Sequence, residues 1–516
     1  MSSRSRRALS VAAVAAALLA ATACTTTAAS PTTASPSALP ASQSSQPGPA
    51  AIESASTQPN IVLVLTDDLS KNLVRYMPNL RKMQQDGTTF TNYTVTDSLC
   101  CPSRASLFKG QFPHNTGIYK NHGSDGGFRL FHSRGQESST FATDLKAAGY
   151  RTGFFGKYLN EYLPATSFNG GKPYVPPGWD QWFAGGNAYD NFIYALNENG
   201  TVKKYGKKPQ EYLTDVLSAK ATGFITASAA TGSPFMLEVA TYAPHAPFTP
   251  APRDAKLFPG LTIPRTAAYD RLPADAPAWL AGHPRLNAEQ KARMDVEFRK
   301  RAQSVQSVDR MLGALRDTLT KAGVADETLV VFASDNGFHM GEYTLPSGKQ
   351  TAFDTDVNVP LIVAGHGVKA GQNVEAVVEN TDLRPTFANL AGEPAPAEVD
   401  GQSLRQLLAG ETPARWRTAA LIEHRDPATD PADPDYEHDS INIPPSYDAI
   451  RTADFTYVQY VDGTREYYDR RADPDQLRNL AGSLPADRLT QLRASVRAMT
   501  TCVGAEACLT AASAVS

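Results

Sequence analysis

Residues 98–110, with the sequence SLCCPSRASLFKG, contain the most informative motif of the chain. Pro102 suits the first turn of a helix, where a missing N–H costs no hydrogen bond, and Gly110 suits the end of that helix. The stretch therefore predicts a helix that begins near Pro102 and leaves Cys100 just outside its N-terminus. Free N–H groups at that end favour an anion, and Arg104 adds a permanently charged planar donor. A sulfur nucleophile beside such groups indicates a site for a sulfate or phosphate ester.

Taken alone, the adjacent pair Cys100 and Cys101 also fits two buried thiols or a disulfide between them. The chain has five cysteines. Cys502 and Cys508 lie close together near the end of the sequence. In an exported protein such a pair predicts a local disulfide, and the absence of a flanking histidine disfavours a metal site.

Residues 100–104 resemble the Cys-x-Pro-Ser-Arg signature of type I sulfatases. In that family the first cysteine is oxidised to formylglycine, whose hydrated aldehyde is the nucleophile. The resemblance implies that Cys100 is converted to formylglycine by a formylglycine-generating enzyme, and that Cys100 and Arg104 are catalytic. The family signature continues Leu-x-Thr-Gly, and Lys109 stands here in place of the threonine.

Oxygen-bearing side chains follow two buried strands. The runs NIVLVLT and TLVVFAS are continuously apolar and β-branched, as strands buried on both faces require. The first run is followed by Asp67 and Asp68, and the second by Asp335 and Asn336. Ligands of α/β folds bind beyond the carboxyl ends of parallel strands, and oxygen donors there suit Ca²⁺ or Mg²⁺. On the residues alone, the first pair also fits a helix cap and the second a turn.

The sulfatase resemblance assigns these strand ends to one divalent cation. It implies a metal site made by Asp67, Asp68, Asp335, Asn336 and residue 100. The family precedent and the oxygen ligands favour Ca²⁺, with Mg²⁺ as the alternative. A cation also answers a charge problem, because three acidic ligands would otherwise repel an anionic sulfate ester.

Two lysines and a histidine complete the catalytic set that the resemblance implies. Lys157 ends the strand-like run RTGFFGK and matches the family's sulfate-binding lysine, and Lys349 matches the second such lysine. His245 lies in PHAP, like the family's Pro-His-x-Pro histidine, which protonates the leaving alcohol. Without the resemblance, a solvated charge and a loop histidine are the ordinary interpretations.

The substrate class follows from two further segments. Many members of the family continue Gly-Lys-Trp-His, with a histidine that supports the nucleophile. Here GKYLNEY lacks that histidine, and Asn160 is expected to take part of its role and to belong to the substrate-binding residues. His339 lies in a segment that often lines the substrate pocket. CCPSR combined with GKYLNEY resembles N-acetylglucosamine-6-sulfatases and heparan endosulfatases. The resemblance implies a sulfated small molecule or glycan as substrate, and the motifs of the glucosamine-6-sulfatases point to a sulfated sugar.

The order of elements predicts an α/β fold. We expect a large mixed, mainly parallel sheet sandwiched by helices, like alkaline phosphatase, and a smaller C-terminal antiparallel sheet. The catalytic domain is placed at 59–410 and the C-terminal subdomain at 411–516. A long helix over 287–321 has one apolar stripe and is interpreted as core packing without chemistry. The aromatic loop 170–199 fits packing over the sheet or stacking on a sugar ring.

The N-terminus predicts export. Residues 1–24 combine a basic start with an apolar run too short to span a membrane, as in a signal peptide. ATAC before Thr25 resembles a bacterial lipoprotein cleavage box, so both secretion and membrane attachment through lipidated Cys24 are expected routes. Residues 25–58, mostly Ala, Ser, Thr and Pro, predict a disordered linker. The expected location is outside a bacterial cell, secreted or lipid-anchored at the surface.

Composition and charge exclude other classes. The chain has 516 residues, 41% of them hydrophobic, and a net charge of −3. No broad positive field attracts nucleic acid, so no nucleic-acid partner is expected. Two alternatives to a sulfatase are kept: a phosphodiesterase or phosphonate monoester hydrolase on the same fold, and a non-catalytic glycan-binding protein with unmodified Cys100.

Overall fold

A computed structural model describes residues 58–168, 170–425 and 443–515. The predicted signal peptide, Cys24 and nearly all of the predicted linker lie outside these residues. In the part of the chain that is described, no helix is both long and apolar enough to cross a membrane.

The elements follow one another along the chain as follows. The strands are β1 (Asn60–Thr66), β2 (Gly87–Thr94), β3 (Arg151–Lys157), β4 (Gln181–Gly185), β5 (Ala195–Glu198), β6 (Thr201–Lys204), β7 (Phe235–Ala240), β8 (Thr328–Ser334), β9 (His339–Met340), β10 (Ser347–Gly348), β11 (Leu361–Gly365), β12 (Gln372–Glu379), β13 (Ala419–His424), β14 (Tyr447–Thr452), β15 (Phe455–Tyr460) and β16 (Arg465–Asp469). The helices are α1 (Pro78–Asp86), α2 (Cys100–Lys109), α3 (Pro113–Thr116), α4 (Gly127–Ser133), α5 (Phe141–Ala147), α6 (Leu213–Ala229), α7 (Ala278–Ala281), α8 (Ala288–Lys321), α9 (Asp354–Val357), α10 (Leu383–Leu390), α11 (Arg405–Leu408), α12 (Ala486–Met499) and α13 (Ala505–Ser513).

Across the described ranges, ten strands form one mixed sheet in the order β12-β2-β11-β8-β1-β7-β3-β4-β5-β6. The central strands β8, β1, β7, β3 and β4 run parallel, and so do β12 and β2. β11 is antiparallel to both of its neighbours, and β5 and β6 add an antiparallel edge. The predicted large, mainly parallel sheet is confirmed.

Helices cover both faces of this sheet. On β1, Leu63 and Leu65 face the layer that contains Phe108 of α2, whereas Val64 faces the layer that contains Leu312 of α8. A strand buried on both faces must be apolar at every position, which is why β1 shows no alternation. Helix α8 begins where Asn287 and its partner three residues later form a capping box.

The C-terminal sheet is antiparallel in the order β13-β14-β15-β16, as predicted. Helices α12 and α13 supply an apolar layer against it, which contains Leu492 and Val496. The predicted disulfide between Cys502 and Cys508 is present. His114 of α3 lies 2.8 Å from a carboxylate oxygen of Glu423 and 2.9 Å from the Cys502 carbonyl oxygen, so it links α3 to the C-terminal sheet and to the disulfide.

Asp354 at the start of α9 joins the two sheets. Its carboxylate accepts hydrogen bonds from Arg451 at 2.8 Å and from Arg470 at 2.7 Å, both in or next to the C-terminal sheet. Burial alone would raise the pKa of Asp354, but attraction to Arg451 and Arg470 outweighs it and holds the pKa well below the usual range. Arg451 is fully buried and therefore depends on this carboxylate.

We expect Asp354→Asn to lower the free energy of unfolding at pH 7 by about 3 kcal/mol, because it leaves buried arginine charge without its counter-ion. A depressed folded pKa contributes stability above the unfolded value of about 3.9, and this contribution is lost as pH falls below it. The difference between wild type and variant should therefore shrink below about pH 4. Urea unfolding at pH 7, 5 and 3 tests this; a constant difference would contradict it.

Candidate active site

The predicted acidic residues converge because their strands are paired in parallel. Thr66 of β1 is in register with Ser334 of β8, so the residues that follow each strand emerge side by side at one edge. The Asp68 N–H donates to Asp335 Oδ1 at 3.2 Å, and Asn336 Nδ2 donates to Asp68 Oδ1 at 2.6 Å. These side chains and Asp67 are buried.

The next two parallel strands deliver Lys157 and His245 to the same edge. Lys157 ends β3, and the chain turns after β7 to place His245. Gly156 allows β3 to lie close to β7: its φ is +123°, and a Cβ there would lie 1.8 Å from the Ala240 carbonyl oxygen. The glycine before the lysine is thus a packing requirement of the parallel pair.

Helix α2 begins at Cys100, two residues earlier than predicted, and ends before Gly110, whose φ of +62° makes a left-handed cap. The early start is explained by Asn121, whose Oδ1 accepts the Cys101 N–H at 2.9 Å. This N–H is one of the groups at the helix start that have no partner within the helix. Cys100 therefore lies in the first turn of the helix, not outside it. Its position at the N-terminal end is as expected.

Cys100 is surrounded by charged groups. Its thiol lies 3.3 Å from Asp67 Oδ1, and Lys349 Nζ lies 3.0 Å from its sulfur. No disulfide links Cys100 and Cys101, so that alternative is wrong. Burial raises the pKa of Cys101 to about 12, which makes that thiol a poor nucleophile.

Lys349 comes from the loop after β10, and the C-terminal sheet supports this loop. Tyr447 of β14 donates its hydroxyl to the Gln350 carbonyl at 3.1 Å. Gln350 itself has a φ of +76°, an uncommon conformation for a residue with a side chain. The backbone next to Lys349 is therefore fixed from outside the large sheet.

Each cationic side chain of the site contacts one of the acids. Lys157 Nζ lies 2.6 Å from Asp67 Oδ2, and Lys349 Nζ lies 2.8 Å from Asp68 Oδ1. Arg104 Nε donates to Asp335 Oδ2 at 2.8 Å. The charges of the site are therefore nearly balanced by pairing inside a buried space.

Crowding of these charges shifts pKa values in opposite directions. Burial would raise the pKa of Asp67, but attraction first to Lys157 and then to His245 outweighs burial and holds it well below the usual range. For Asp335, burial and repulsion from Asp67 raise the pKa in spite of nearby Arg104. Two acids of one cluster therefore have opposite pKa shifts, because cations dominate the surroundings of Asp67 whereas burial and the charge of Asp67 dominate at Asp335.

The residues fit a bound cation. Asp67, Asp68, Cys100 and His245 each present a ligand atom, and these atoms lie within 4.8 Å of one another. Asn336 Oδ1 is buried and has no hydrogen-bond partner among the described residues. A buried carbonyl oxygen without a donor is costly, and a cation would relieve that cost. The carboxylate and amide oxygens are hard donors of the kind that Ca²⁺ and Mg²⁺ take.

His245 is held by one ring nitrogen. Nδ1 lies 2.9 Å from the Ala246 carbonyl oxygen, which only accepts, so Nδ1 carries a proton. Nε2 lies 3.7 Å from Asp68 Oδ2 and is the atom that faces the acids. The ring packs against Tyr189 with 4.5 Å between centroids, and Lys157 Nζ lies 5.0 Å from the centre of that tyrosine ring.

Tyr189 is the residue of the aromatic loop that reaches the site, and its sequence gave it no distinct signal among the other aromatics there. Trp182, by contrast, is fully buried on β4 and donates to the Tyr162 hydroxyl at 2.8 Å. Packing over the sheet thus describes Trp182 correctly, whereas Tyr189 contacts Lys157 and His245 at the site.

The two residues predicted to bind substrate are both buried near these strand ends. Asn160 follows β3, and its side-chain amide has no hydrogen-bond partner within the ranges that the structure describes. His339 Nδ1 lies 2.9 Å from Asp356 Oδ2, which fixes the orientation of its ring. Their substrate contacts remain predictions.

The Sulfatase family profile matches residues 59–393, and the profile described as N-sulphoglucosamine sulphohydrolase, C-terminal, matches residues 341–500. The chain belongs to the sulfatase family. Human N-acetylglucosamine-6-sulfatase is 33% identical over an alignment of 488 positions, which covers 89% of this chain and 87% of that protein. The Extracellular sulfatase SULF-1 homolog of Drosophila melanogaster is 35% identical and covers 71% of this chain, with 33% of its own length matched.

Solved structures agree with this fold. A protein in complex with its substrate D-glucosamine-2-N,6-O-disulfate has a TM-score of 0.69 at 23% identity and covers 85% of this chain and 97% of its own. Phosphonate monoester hydrolase from Silicibacter pomeroyi has a TM-score of 0.66 at 22% identity, covering 86% and 94%. At these identities the likeness concerns the fold. The family membership makes this sulfatase an enzyme that hydrolyses sulfuric esters.

Glu238 is a charged residue of the sheet that the sequence analysis missed. It lies on β7 between Leu63 of β1 and Phe154 of β3, on the face that packs against α2. Its side chain is fully buried, and neither carboxylate oxygen has a hydrogen-bond partner among the residues described. Burial raises the pKa of Glu238 to about 8, and the charge of Arg104 offsets only part of that effect.

We expect Glu238→Gln to stabilise the protein increasingly as pH rises from 5 to 8. The folded pKa of Glu238 lies above its unfolded value, so the folded state binds the extra proton and wild-type stability falls across this window. The neutral amide removes that dependence. Melting temperatures of both proteins at pH 5, 6.5 and 8 test the expectation. A gap that stays constant or narrows toward pH 8 would contradict it.

Proposed function

We propose that this sulfatase removes the 6-O-sulfate of an N-acetylglucosamine unit, with residue 100 as formylglycine and Ca²⁺ at the strand edge. The observation that carries the proposal is the position of Cys100. It lies at the N-terminal end of α2, with Lys349 Nζ 3.0 Å from its sulfur and Asp67 Oδ1 3.3 Å away. A formylglycine there would lie beside the carboxylates that can hold the metal ion. It would also lie beside the lysine side chains that can bind the sulfate.

The formylglycine at residue 100 would supply a nucleophilic hydroxyl, and the bound cation would supply the positive charge that lowers the pKa of this hydroxyl. Asp67, Asp68, Asp335 and Asn336 would hold the cation through oxygen atoms. Mg²⁺ is the second candidate, because its ligand preference is also for oxygen.

Lys157, Lys349 and His245 would act on the substrate itself, whereas Arg104 holds neighbouring parts of the site in place. Lys157 and Lys349 would bind the non-bridging oxygens of the sulfate, where charge increases in the transition state. Arg104 anchors Asp335 through Nε and donates from Nη1 to the Lys157 carbonyl at 2.7 Å, so it fixes two parts of the site at once. His245 Nε2 would give its proton to the departing sugar oxygen.

The substrate class rests on the relatives and on the site. The human relative is named for N-acetylglucosamine-6-sulfate, and the solved neighbour was bound to a glucosamine disulfate. Asn160, with its unpartnered buried amide, offers both a donor and an acceptor to a sugar hydroxyl. Tyr189 adds an aromatic ring of the kind that packs against sugars.

The first test combines labelling with an assay. Protein from a host with a formylglycine-generating enzyme should show an aldehyde at residue 100, detected by a hydrazide label and peptide mass spectrometry, with Cys101 unmodified. The same protein should release sulfate from N-acetylglucosamine-6-sulfate, and Cys100→Ala should release none. Monosaccharide and polymeric heparan substrates, run side by side, separate action at a chain end from action inside a chain.

Matched aryl esters test the alternatives. A 4-nitrophenyl sulfate and a phenyl phosphonate with the same leaving group should be compared on one preparation. Faster turnover of the phosphonate would favour a phosphonate monoester hydrolase. An intact thiol at residue 100 together with sugar binding but no turnover would favour the glycan-binding alternative.

His245→Ala should reduce kcat for N-acetylglucosamine-6-sulfate by roughly 100- to 10,000-fold, because the sugar alkoxide needs a proton to leave. The loss should be much smaller for 4-nitrophenyl sulfate, whose leaving group is stable without a proton. KM should change little for either substrate. Equal losses for both esters would contradict a role in protonation.

We also propose export, because relatives include proteins named extracellular sulfatases and residues 1–24 resemble a signal peptide. Secretion and lipid anchoring at Cys24 are distinguished by metabolic labelling with a fatty acid. The division into 59–410 and 411–516 is likewise proposed as the domain organisation.

A further inference from the structure

Asp68 has an uncommon backbone conformation. Its φ is +63°, in the left-handed region that residues with side chains rarely adopt, although aspartate tolerates it better than most. This conformation turns the chain sharply after β1 and directs Asp67 and Asp68 to the same cluster. Because aspartate does not favour this backbone conformation by itself, contacts with surrounding residues must stabilise it.

Arg301 of α8 supplies one of these contacts. Its Nη2 donates to the Asp68 carbonyl oxygen at 2.6 Å and to Ser70 Oγ at 3.2 Å. On the other side of the residue, the Asp68 N–H donates to Asp335 Oδ1. The peptide groups before and after the left-handed residue are therefore both fixed.

The setting of Arg301 is costly for a charged side chain. It is fully buried, and Nε and Nη1 have no hydrogen-bond partner among the residues described. The guanidinium lies 4.4 Å from the centre of the Phe338 ring and 5.6 Å from that of the Phe248 ring, and these two rings contact each other edge-to-face. An apolar residue would fill the same space at lower cost, so packing alone does not explain an arginine here.

We propose that Arg301 is a positioning residue for the cation site. It holds Asp68 in the left-handed conformation through the Asp68 carbonyl, so that the carboxylates of Asp67 and Asp68 remain directed at one point. It touches neither the substrate nor the cation. The inference rests on the proposed cation site but not on the identity of the substrate.

The test measures Ca²⁺ affinity directly, by calorimetric titration of purified protein from which metal has been removed with a chelator. Arg301→Met keeps most of the side-chain volume and removes the donor. Loss of an outer contact to a metal ligand commonly weakens metal binding about 10- to 100-fold, and that is the weakening expected here. Arg301→Lys keeps a charge and a single donor without the planar fork, and should weaken binding several-fold.

Arg451→Met is the matched control. Arg451 is also fully buried and bonds to a carboxylate, but it lies in the C-terminal sheet and contacts none of the proposed ligands. Its variant should lose thermal stability and keep wild-type Ca²⁺ affinity. Melting temperatures measured without Ca²⁺ report the packing loss of each variant, and the rise in melting temperature on adding Ca²⁺ gives a second measure of affinity.

The outcomes distinguish failure of the positioning role of Arg301 from failure of the proposed cation site. Wild-type affinity in Arg301→Met overturns the positioning role, whatever its melting temperature. If that variant does not fold, unchanged affinity in Arg301→Lys overturns the role and several-fold weakening supports it. Absence of Ca²⁺ binding in the wild type overturns the cation site and the positioning role with it. Sulfate release is measured separately, so failure of the proposed substrate leaves the result for Arg301 intact.

Discussion

Parallel pairing of β8, β1, β7 and β3 is the constraint on which the site depends. Four strands that run the same way must end at the same edge, so residues spread along the chain from Asp67 to Asp335 are brought together. Asp67, Lys157, His245 and Asp335 each lie just beyond or at one of these ends. The pairing of the strands is enough to bring these four residues together, and no further long-range contact is needed.

The same convergence creates an electrostatic difficulty that the site answers by pairing. Three carboxylates at one buried edge would repel one another, and each contacts a lysine or an arginine. These cations are also the groups that an anionic ester requires. In the proposed function, one set of positive charges therefore both neutralises the buried carboxylates and binds the sulfate of the substrate.

Sequence reasoning reached the fold class and most of the site because both have local signatures. Continuous apolar runs identify buried strands, and a fixed motif follows each of them. Glu238, Arg301 and Tyr189 were missed for a shared reason: each lies inside an ordinary strand, helix or loop pattern, and the residues that surround it come from distant parts of the sequence. The apolar stripe of α8 was interpreted correctly as core, yet the proposed role of Arg301 sits within that same helix. The start of α2 was also misplaced, because Asn121 satisfies its end from a distant loop.

The hydroxyl of Tyr447 on the Gln350 carbonyl has an implication for how the protein is divided. The strand that carries this tyrosine belongs to the C-terminal sheet, whereas the backbone it holds leads directly to Lys349. The C-terminal sheet therefore holds the backbone beside Lys349, the lysine proposed to bind the sulfate, and another module could not replace this sheet without losing that contact. A swapped C-terminal module would need to bring its own hydroxyl to the same carbonyl.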